Sequence, residues 1–421
     1  MRNWILQGWR ASSLRNGFVE YDGPIFEHLQ LFTVKSGEEI VEQLFHLTDR
    51  GGRELAIRPE ITPTLARMVN AKINALSRPI KWFSMPRLCR AERPQKGRLR
   101  EFFQWNIDII GEDSVLADAE CIYTAVDYLR SVGLTSDDVV VKYSSRSLLA
   151  EILKAQGFGP EQLDTVYTLL DRRAKLPEEK WLAMAEERLP DARQREQLFQ
   201  VQGIVSVEQL RTFCAGWGEA LAAELAQLEA LVGHLERMEI GRYCEFDIRI
   251  VRGLAYYTGP VFEVFDRQAQ LRALCGGGRY DNLLAALGGP KVSATGFGMG
   301  DVVLEILLRE RGLLRESEGA LDFFVIDAKV ELFESRVLSM VSQLRGKGFS
   351  AAFSYKRQSL SKQLKQASAS RARYAVIVGE ETDRYDQVTL KNLSTGTQAS
   401  ASLPDFLANP REAFSGGSPG S

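Results

Sequence analysis

The chain has 421 residues, of which 45% are hydrophobic and 26% are charged, and its formal net charge is -2. These values fit a folded protein of two or three domains and exclude a disordered chain. Five widely spaced cysteines without a CxxC pair support neither a disulfide framework nor a zinc site, which indicates a reducing compartment. Because no apolar run approaches the ~18 residues of a membrane helix, and the first residues lack signal-peptide features, we expect a cytoplasmic protein.

Short strands and helices alternate through the first 144 residues. The predicted elements are a helix over 4–16, strands over 18–21, 44–48 and 54–58, a helix that begins at Thr62-Pro63, and long strands over 80–89 and 100–110. The Asp-Arg-Gly-Gly sequence at 49–52 predicts a hairpin between two of these strands. Thr62 as N-cap with Pro63 after it is a favoured helix start.

Helical periodicity replaces the strand pattern from about residue 145 to residue 239 and predicts a helical insert. Strands return over 243–251 and 259–265, and a Gly-rich strand and a helix follow over 294–309. After a charged linker over 310–319, strands over 323–326, 350–354 and 374–379 alternate with helices over 332–346 and 360–368. We therefore predict an α+β protein with core segments 1–144 and 240–312, an insert over 145–239, an α/β domain over 321–407 and a disordered tail over 408–421.

The predicted strand over 100–110 has two contrasting faces, because side chains alternate along a strand. One face is wholly apolar and must pack on a core: Phe103, Trp105, Ile107 and Ile109. The other carries an aromatic ring and three polar groups: Phe102, Gln104, Asn106 and Asp108. A solvated strand face would explain these polar groups equally well.

A basic loop before this strand favours a functional interpretation. From Lys81 to Arg100 there are seven Lys or Arg residues and a single acid, Glu92. Arginines beside an aromatic ring suit a nucleotide, since guanidinium groups bind phosphates and the ring stacks on a base. The chain has three histidines, none beside a Ser or Cys nucleophile, so we expect neither a histidine triad nor protein metal ligands.

Residues 90–104 resemble the second signature motif of the class II aminoacyl-tRNA synthetases, in the form seen in the histidyl-tRNA synthetase family. The pattern is Arg-x-Glu-Arg-Pro-Gln-Lys-Gly-Arg-x-Arg-Glu-Phe-x-Gln. Residues 58–62 (Arg-Pro-Glu-Ile-Thr), 252–258 (Arg-Gly-Leu-Ala-Tyr-Tyr-Thr) and 275–281 (Cys-Gly-Gly-Gly-Arg-Tyr-Asp) are similar to three further elements of that family, in the family's order. Taken alone, Glu60 could simply favour a helix dipole and the two tyrosines could be core aromatics.

The resemblance extends over about residues 17–407 and implies an architecture. It implies an antiparallel catalytic sheet of six or seven strands with flanking helices, a helical insert and a C-terminal domain that binds the tRNA anticodon. It also implies a homodimer, with Pro24 as the proline of the first signature motif at the dimer interface. For the C-terminal domain, Lys362, Lys365, Arg371 and Arg373 are candidate phosphate contacts, although a solvated helix face would also explain such residues.

The resemblance also implies roles for individual residues. The set that binds ATP would be Arg90 on the α-phosphate, Arg98 on the γ-phosphate, Phe102 under adenine and Glu92 at its amino group. The set that binds histidine would be Glu60, Thr62 and Gln104 at the α-ammonium, Asp108 and Tyr257 at the imidazole, with Tyr256 and Arg252. Arg252 and Arg90 would be catalytic, and Mg²⁺ would bridge the ATP phosphates.

Three features depart from the family's pattern. Val303 stands where the family carries an arginine for the γ-phosphate, so either Arg98 and another cation such as Arg279 suffice, or ATP binding is weakened. Asp301, just before it, would be the N-cap of the helix. Ala255 replaces an aspartate and so removes a support for its neighbours, and the segment that precedes the family's first helix is absent from the sequence.

The expected function is that of a histidine--tRNA ligase, which activates histidine with ATP and transfers it to the 3′ end of tRNA(His). Two alternatives stay open at this point. One is a non-catalytic paralogue, such as the regulatory subunit of ATP phosphoribosyltransferase in histidine biosynthesis, which Val303 favours. The other is a sensor module that binds histidine or RNA.

Overall fold

The computed structural model describes residues 1–33, 43–173, 176–251, 256–314, 321–329, 333–356 and 358–410. The chain forms two compact units, Met1–Leu314 and Arg315–Ser421. Two residues of the sequence interpretation, Arg252 and Ala255, lie outside the described residues, and so do residues 411–421 of the predicted tail. The finer division of the first unit into core and insert stays a prediction.

The first unit contains one large sheet and one small sheet. Its strands are β1 (Val19–Glu20), β2 (Phe26–His28), β3 (Phe45–Thr48), β4 (Glu54–Ile57), β5 (Ile80–Ser84), β6 (Arg87–Cys89), β7 (Glu101–Ile110), β8 (Val139–Ser145), β9 (Cys244–Phe246), β10 (Pro260–Asp266), β11 (Cys275–Arg279) and β12 (Ala294–Gly300). The large sheet has the order β1-β5-β7-β12-β11-β10-β8-β9, and β6 pairs with β7. The small sheet has the order β2-β4-β3 and contains the predicted antiparallel hairpin.

The antiparallel catalytic sheet that the sequence predicts is present. Every pairing from β5 through β7, β12, β11 and β10 to β8 is antiparallel, and the pairing of β6 with β7 is antiparallel as well. The sheet is larger than predicted, because β1 and β9 extend its two edges through parallel pairings. The described part of the sheet therefore has nine strands.

Helices cover the large sheet and fill the region of the predicted insert. They are α1 (Arg2–Arg15), α2 (Leu29–Thr33), α3 (Thr62–Asn70), α4 (Val115–Ser131), α5 (Arg146–Ala155), α6 (Leu163–Arg173), α7 (Glu178–Arg188), α8 (Ala192–Gln202), α9 (Val207–Cys214), α10 (Glu219–Arg237), α11 (Leu283–Ala286) and α12 (Asp301–Glu310). The helices α5 to α10 occupy almost the whole stretch 145–239. No helix in the described ranges has the length and apolar character needed to cross a membrane.

Two predicted strands are shorter in the structure, for local chemical reasons. The strand predicted over 80–89 is divided into β5 and β6, because Pro86 lies between them and has no backbone N–H to donate to a ladder. The strand predicted over 243–251 ends at Phe246. There the Asp247 side chain accepts a hydrogen bond from the backbone N–H of Arg249 at 3.1 Å, which forms a turn in place of further pairing.

The apolar face of β7 packs on the main core, as predicted. Trp105 is fully buried, and its indole N–H donates to Ser13 at 2.8 Å. Its ring stacks with Trp9 of α1 and meets Phe297 of β12 edge-on at 5.0 Å between ring centroids. Aromatic pairs of this kind fix the position of the strand as well as burying surface.

The second unit is a mixed sheet with helices, as predicted. Its strands are β13 (Leu321–Asp327), β14 (Ala351–Phe353), β15 (Ala372–Val378), β16 (Gln387–Asn392) and β17 (Gln398–Ser402), and its helices are α13 (Glu334–Gly346), α14 (Leu360–Ala369), α15 (Glu380–Tyr385) and α16 (Leu403–Ala408). The order is β14-β13-β15-β16-β17, with β13 parallel to both of its neighbours. The sequence interpretation missed the hairpin of β16 and β17, because β17 consists of small and polar residues (Gln-Ala-Ser-Ala-Ser).

Candidate active site

The polar face of β7 forms one wall of a cleft in the first unit. We call this the front face; it carries Gln104, Asn106 and Asp108. The cleft is lined by Glu60, Thr62, Arg90, Gln104, Asn106, Asp108, Tyr256, Tyr257, Gly276, Tyr280, Gly296, Phe297 and Gly298. The structure thus brings together seven of the predicted histidine-binding and ATP-binding residues: Glu60, Thr62, Arg90, Gln104, Asp108, Tyr256 and Tyr257.

Three glycines on adjacent strands make room for this cleft. Gly276 of β11 pairs with Gly298 of β12, and Gly296 of β12 faces Asp108 of β7 in the ladder. A Cβ on Gly296 would lie 2.3 Å from the Ile107 carbonyl oxygen and 2.4 Å from an Asp108 carboxylate oxygen. Side chains are excluded at such distances, so these glycines form a floor over which polar side chains of β7 can reach a ligand.

Asp108 is the buried carboxyl group of the cleft. The Tyr280 hydroxyl donates a hydrogen bond to its Oδ1, whereas its Oδ2 has no hydrogen-bond partner among the described residues. Burial raises the pKa of Asp108 to about 7, and the hydrogen bond from Tyr280 opposes that rise. A buried oxygen without a partner costs free energy, so Asp108 is suited to accept a hydrogen bond from a ligand.

Glu60 and the start of α3 form the opposite part of the cleft. Glu60 is buried, and its Oε2 accepts a hydrogen bond from the Tyr256 hydroxyl at 3.0 Å. Thr62 is the first residue of α3, so Ile61 rather than the predicted Thr62 is the N-cap, and Pro63 still lies in the first turn. The Glu60 carboxylate and the polar oxygens near it suit a ligand cation such as an ammonium group.

The arginine loop (residues 90–100) joins β6 to β7 and contains the predicted phosphate ligands. Arg90 lines the cleft; its Nε donates to the Pro59 carbonyl at 3.0 Å, and its guanidinium lies 5.3 Å from the centre of the Phe102 ring. Arg98 forms an ion pair with the buried Glu92. In this arrangement Arg98 and Glu92 lie together in the loop, outside the residues that line the cleft.

The structure contradicts the use of Arg279 as a substitute phosphate ligand. Its guanidinium is buried and forms an ion pair with Asp118 at 2.5 Å. It also donates to the backbone carbonyls of Glu112 and Ser114 and to the Ser293 hydroxyl. Because the donors of Arg279 are used within the protein, this residue stabilises the core and is not available to a triphosphate.

Val303 packs against the arginine loop. It is buried in the main core, and a Cβ on Gly97 of the loop would lie 3.4 Å from its Cγ2. Asp301 is the first residue of α12 and not the predicted N-cap, which is Gly300. Its carboxylate accepts hydrogen bonds from the Phe103 backbone N–H and the Arg2 guanidinium, both at 3.1 Å, so it joins α12 to β7 and α1.

Two residues of the cleft, Tyr280 and Asn106, had no role in the sequence interpretation. Tyr280 follows the Gly-rich strand β11, and its donation to the predicted ligand Asp108 could have been inferred only from the pairing of β11, β12 and β7. Asn106 lies between Gln104 and Asp108 on the front face, and its amide donates to the Gln104 carbonyl at 3.1 Å. The strand alternation that identified its neighbours also included Asn106.

The cleft therefore combines groups that suit different parts of a small charged ligand. The Glu60 carboxylate and the Gln104 side-chain oxygen suit a cation, the Oδ2 of Asp108 suits a hydrogen-bond donor, and Arg90 suits an anion such as a carboxylate or phosphate. Within the described ranges, no cluster of three or more His, Cys, Asp or Glu side chains could hold a metal ion. An Mg²⁺ ion here would depend on the oxygens of a bound nucleotide and on water.

Known proteins resemble this chain over nearly its whole length. A family model described as histidyl-tRNA synthetase matches residues 8–301, and one described as an anticodon binding domain matches residues 323–411. The histidine--tRNA ligase of Opitutus terrae is 41% identical over 419 residues, which cover 98% of this chain and 95% of that protein. The chloroplastic/mitochondrial histidine--tRNA ligase of Arabidopsis thaliana is 39% identical, with coverage of 96% and 82%.

A solved structure shares the fold. The histidyl-tRNA synthetase from Nostoc sp. PCC 7120 has a TM-score of 0.82 to this chain at 21% identity, and the match covers 97% of this chain and 95% of that one. The family model spans more than half of the residues, and the relatives are well above 30% identity over most of their length. On this basis, the chain belongs to the histidyl-tRNA synthetase family.

Proposed function

We propose that this chain is a histidine--tRNA ligase, which uses ATP to form histidyl-adenylate and then transfers the histidyl group to the 3′ end of tRNA(His). Membership of the family, and relatives with that name at 34–41% identity, support the activity. The observation that carries the choice of amino acid is Asp108, a buried carboxyl that bonds Tyr280 and has one oxygen left for a ligand.

Histidine binds along the front face of β7 in this proposal. Its α-ammonium group lies against Glu60, Thr62 and Gln104, whose oxygens accept its three N–H donors. Its imidazole ring lies between Asp108 and the tyrosines, with Tyr257 at the second ring nitrogen and Tyr256 holding Glu60. Amino acids that lack two ring nitrogens leave these buried groups unpaired, which is a strong basis for rejecting them.

Proton sharing strengthens this selection near neutral pH. The pKa of Asp108 is about 7, and an unperturbed imidazole has a pKa of about 6.5. The two pKa values are close, so either group can supply the proton of the hydrogen bond between them. A neutral imidazole keeps one ring N–H that can donate to the Asp108 carboxylate, and a protonated Asp108 can donate to the unprotonated ring nitrogen.

ATP binds beside histidine, across Arg90 and the arginine loop. Arg90 contacts the α-phosphate, Phe102 stacks under adenine, Glu92 accepts from the adenine amino group, and Arg98 contacts the γ-phosphate. Because Arg98 and Glu92 are paired in the protein as described, ATP binding exchanges the carboxylate partner of Arg98 for a phosphate. Mg²⁺ would neutralise charge on the triphosphate when it is bound with ATP.

Arg252 is the proposed catalytic residue, together with Arg90. The histidine carboxylate, which is already ionised, attacks the α-phosphorus and displaces pyrophosphate, so no general base is needed. Negative charge grows on the nonbridging α-phosphate oxygens, and a guanidinium that contacts both reactants aligns them and stabilises that charge. The sequence block over 252–258 is the basis of this assignment.

The remaining parts of the proposal concern assembly and tRNA. The match of residues 323–411 to an anticodon binding domain supports contact between the second unit and the anticodon of tRNA(His). A homodimer is supported by exposed apolar side chains in the elements around Pro24: Val19 at the edge of the large sheet, Ile25, and Phe26 and Leu47 of the small sheet. We also propose that the enzyme acts in the cytoplasm.

Histidine-dependent exchange of labelled pyrophosphate into ATP tests the proposed activity. A ligase catalyses this exchange, whereas a regulatory paralogue or a sensor does not. Arg252→Ala is expected to abolish the exchange while the mass in solution, measured by light scattering, stays that of a dimer. Unchanged exchange in this variant would remove Arg252 from the mechanism, and no exchange in the unaltered protein would refute the ligase.

A further inference from the structure

Two tyrosines of the cleft are each followed by a residue of one polar network. Tyr257 precedes Thr258, and Tyr280 precedes Asp281. The Thr258 hydroxyl donates to Asp281 Oδ2 at 2.9 Å, and the Asp281 backbone N–H donates to the same hydroxyl at 3.1 Å. Two segments that are distant in sequence are therefore joined by reciprocal hydrogen bonds directly beside the site.

The network continues into the core and is anchored there. The Thr258 backbone N–H donates to the Arg279 carbonyl at 2.8 Å, and Ser293 donates to Asp281 Oδ1 at 2.5 Å. The Arg279 guanidinium contacts Ser293 and forms a buried ion pair with Asp118 of α4. Each anchor lies on a different element, so the positions of Thr258 and Asp281 are fixed relative to the sheet.

We propose that Thr258 and Asp281 are positioning residues for histidine recognition, which hold Tyr257 and Tyr280 at a fixed separation on either side of the imidazole site. The inference rests on the proposed function and adds residues that do not touch the substrate. A backbone displacement at residue 258 or 281 moves the adjacent tyrosine ring by a similar amount. The Tyr280 hydroxyl donates a hydrogen bond to Asp108, so a shift of Tyr280 weakens the contact of Asp108 with the imidazole.

The sequence indicates that Tyr257 depends on Thr258 for support. Ala255 stands where the family's pattern has an aspartate, and a methyl group offers no hydrogen bond to its neighbours. Thr258 supplies a polar anchor on the other side of the two tyrosines. Glu92, Arg98 and Phe102, which the proposed function assigns to ATP, do not line the cleft with these tyrosines, so disruption of this anchor is expected to affect histidine more than ATP.

The test compares Thr258→Val with Thr258→Ser in the full chain. Valine keeps the shape of threonine and removes the hydroxyl, whereas serine keeps the hydroxyl. In pyrophosphate exchange, Thr258→Val is expected to raise the KM for histidine about tenfold, from the loss of two hydrogen bonds, with the KM for ATP changed less than about twofold. Thr258→Ser is expected to have a histidine KM within about threefold of the unaltered protein.

Asp281→Asn gives a second measurement, because an amide can satisfy only one of the donors from Thr258 and Ser293. It is expected to raise the histidine KM in the same selective way. The inference is overturned if Thr258→Val leaves the histidine KM unchanged, or if it raises both KM values equally. An unaltered protein that shows no histidine-dependent exchange would instead refute the proposed function, so the two failures are distinct.

Discussion

The front and back faces of β7, a strand of ten residues, have different roles: the front face lines the cleft and the back face packs on the core. On the back face Trp105, Ile107 and Ile109 are buried in the main core and Phe103 is half-buried against it. The front face presents Gln104, Asn106 and Asp108 to a cleft floored by glycines. Burial is nearly the same at Trp105 and Asp108, yet one is stabilised by ring packing and the other has a polar oxygen without a partner. Burial alone therefore does not distinguish the two faces; the buried carboxyl oxygen that a ligand could use lies on the front face.

The largest expected effect is on the back face. Trp105→Ala removes a fully buried indole that contacts Trp9, Tyr128 and Phe297, and is expected to lower the free energy of unfolding by about 3–5 kcal/mol. Denaturant unfolding measures this loss. Trp105→Phe, which fills most of the space, is the control and should lose much less. An unchanged free energy of unfolding for Trp105→Ala would contradict the assignment of this face to the core.

Among the described residues that line the cleft, Arg90 is expected to give the largest effect on activity. Arg90→Ala should lower kcat/KM for pyrophosphate exchange by about 10²–10³-fold, the usual cost of removing a donor to a developing oxyanion. The melting temperature should change little, since Arg90 lines the cleft. Arg90→Lys keeps the charge and loses the planar donor pair, so partial recovery is expected. Equal exchange rates for Arg90→Ala and the unaltered protein would refute its role.

The raised pKa of Asp108 makes the free energy of unfolding depend on pH. Its folded pKa of about 7 exceeds the ordinary value of about 3.9, so between these pH values the unfolded chain releases the proton and the folded protein keeps it. Its contribution to the free energy of unfolding is therefore greatest below pH ~4 and falls as the pH rises through about 7. Asp108→Asn should lack this dependence, as measured by denaturant unfolding from pH 4 to 8.

The same substitution tests histidine recognition. Asp108→Asn is expected to raise the histidine KM about 10- to 100-fold, because an uncharged amide replaces a group that shares a proton with the ring. The pH profile of the histidine KM should retain the ionisation of free histidine and lose the one that belongs to the protein. A histidine KM that is unchanged at every pH would place the imidazole elsewhere.

Tyr280→Phe is expected to have the smallest effect of these variants, and it tests most directly whether Asp108 is the group that ionises in the pH profile. The hydroxyl of Tyr280 lowers the pKa of Asp108, so its removal should shift the protein's ionisation in the pH profile to higher pH and raise the histidine KM several-fold. Tyr256→Phe is the matched control, since Tyr256 bonds Glu60 and not Asp108. If both variants shift the profile alike, Asp108 is not the ionising group.

The sequence predicts the front and back of β7 well, because strand alternation is a local property. Periodicity also predicts the helical stretch over 145–239 and the mixed sheet of the second unit, whereas the antiparallel core follows from the resemblance to the synthetase family. The sequence could not predict that Arg279 is paired inside the protein, because its partner, the Asp118 carboxylate, lies 161 positions away in α4. Nor could it find Tyr280 as the partner of Asp108, since that contact requires the registers of three strands together.

The arginine loop shows the same limit. Its basic residues were visible in the sequence, but the pairing of Arg98 with Glu92 and the contact of Val303 with Gly97 depend on where the loop folds. A count of positive charges near a site thus overstates the number available to a ligand. Pairing inside the protein decides which of them a phosphate can use.

The glycines at the floor of the cleft limit which substitutions could give resistance to an inhibitor that binds there. A compound resting on Gly276, Gly296 and Gly298 would contact main-chain atoms. At Gly296 and Gly298, replacement by any larger residue would put a Cβ within 3 Å of β7 atoms. At Gly296 the Cβ would meet the Ile107 carbonyl oxygen and damage the enzyme's own strand pairing, whereas at Gly298 it would meet the end of the Gln104 side chain. Resistance would therefore have to arise at Gly298 or at the surrounding side chains.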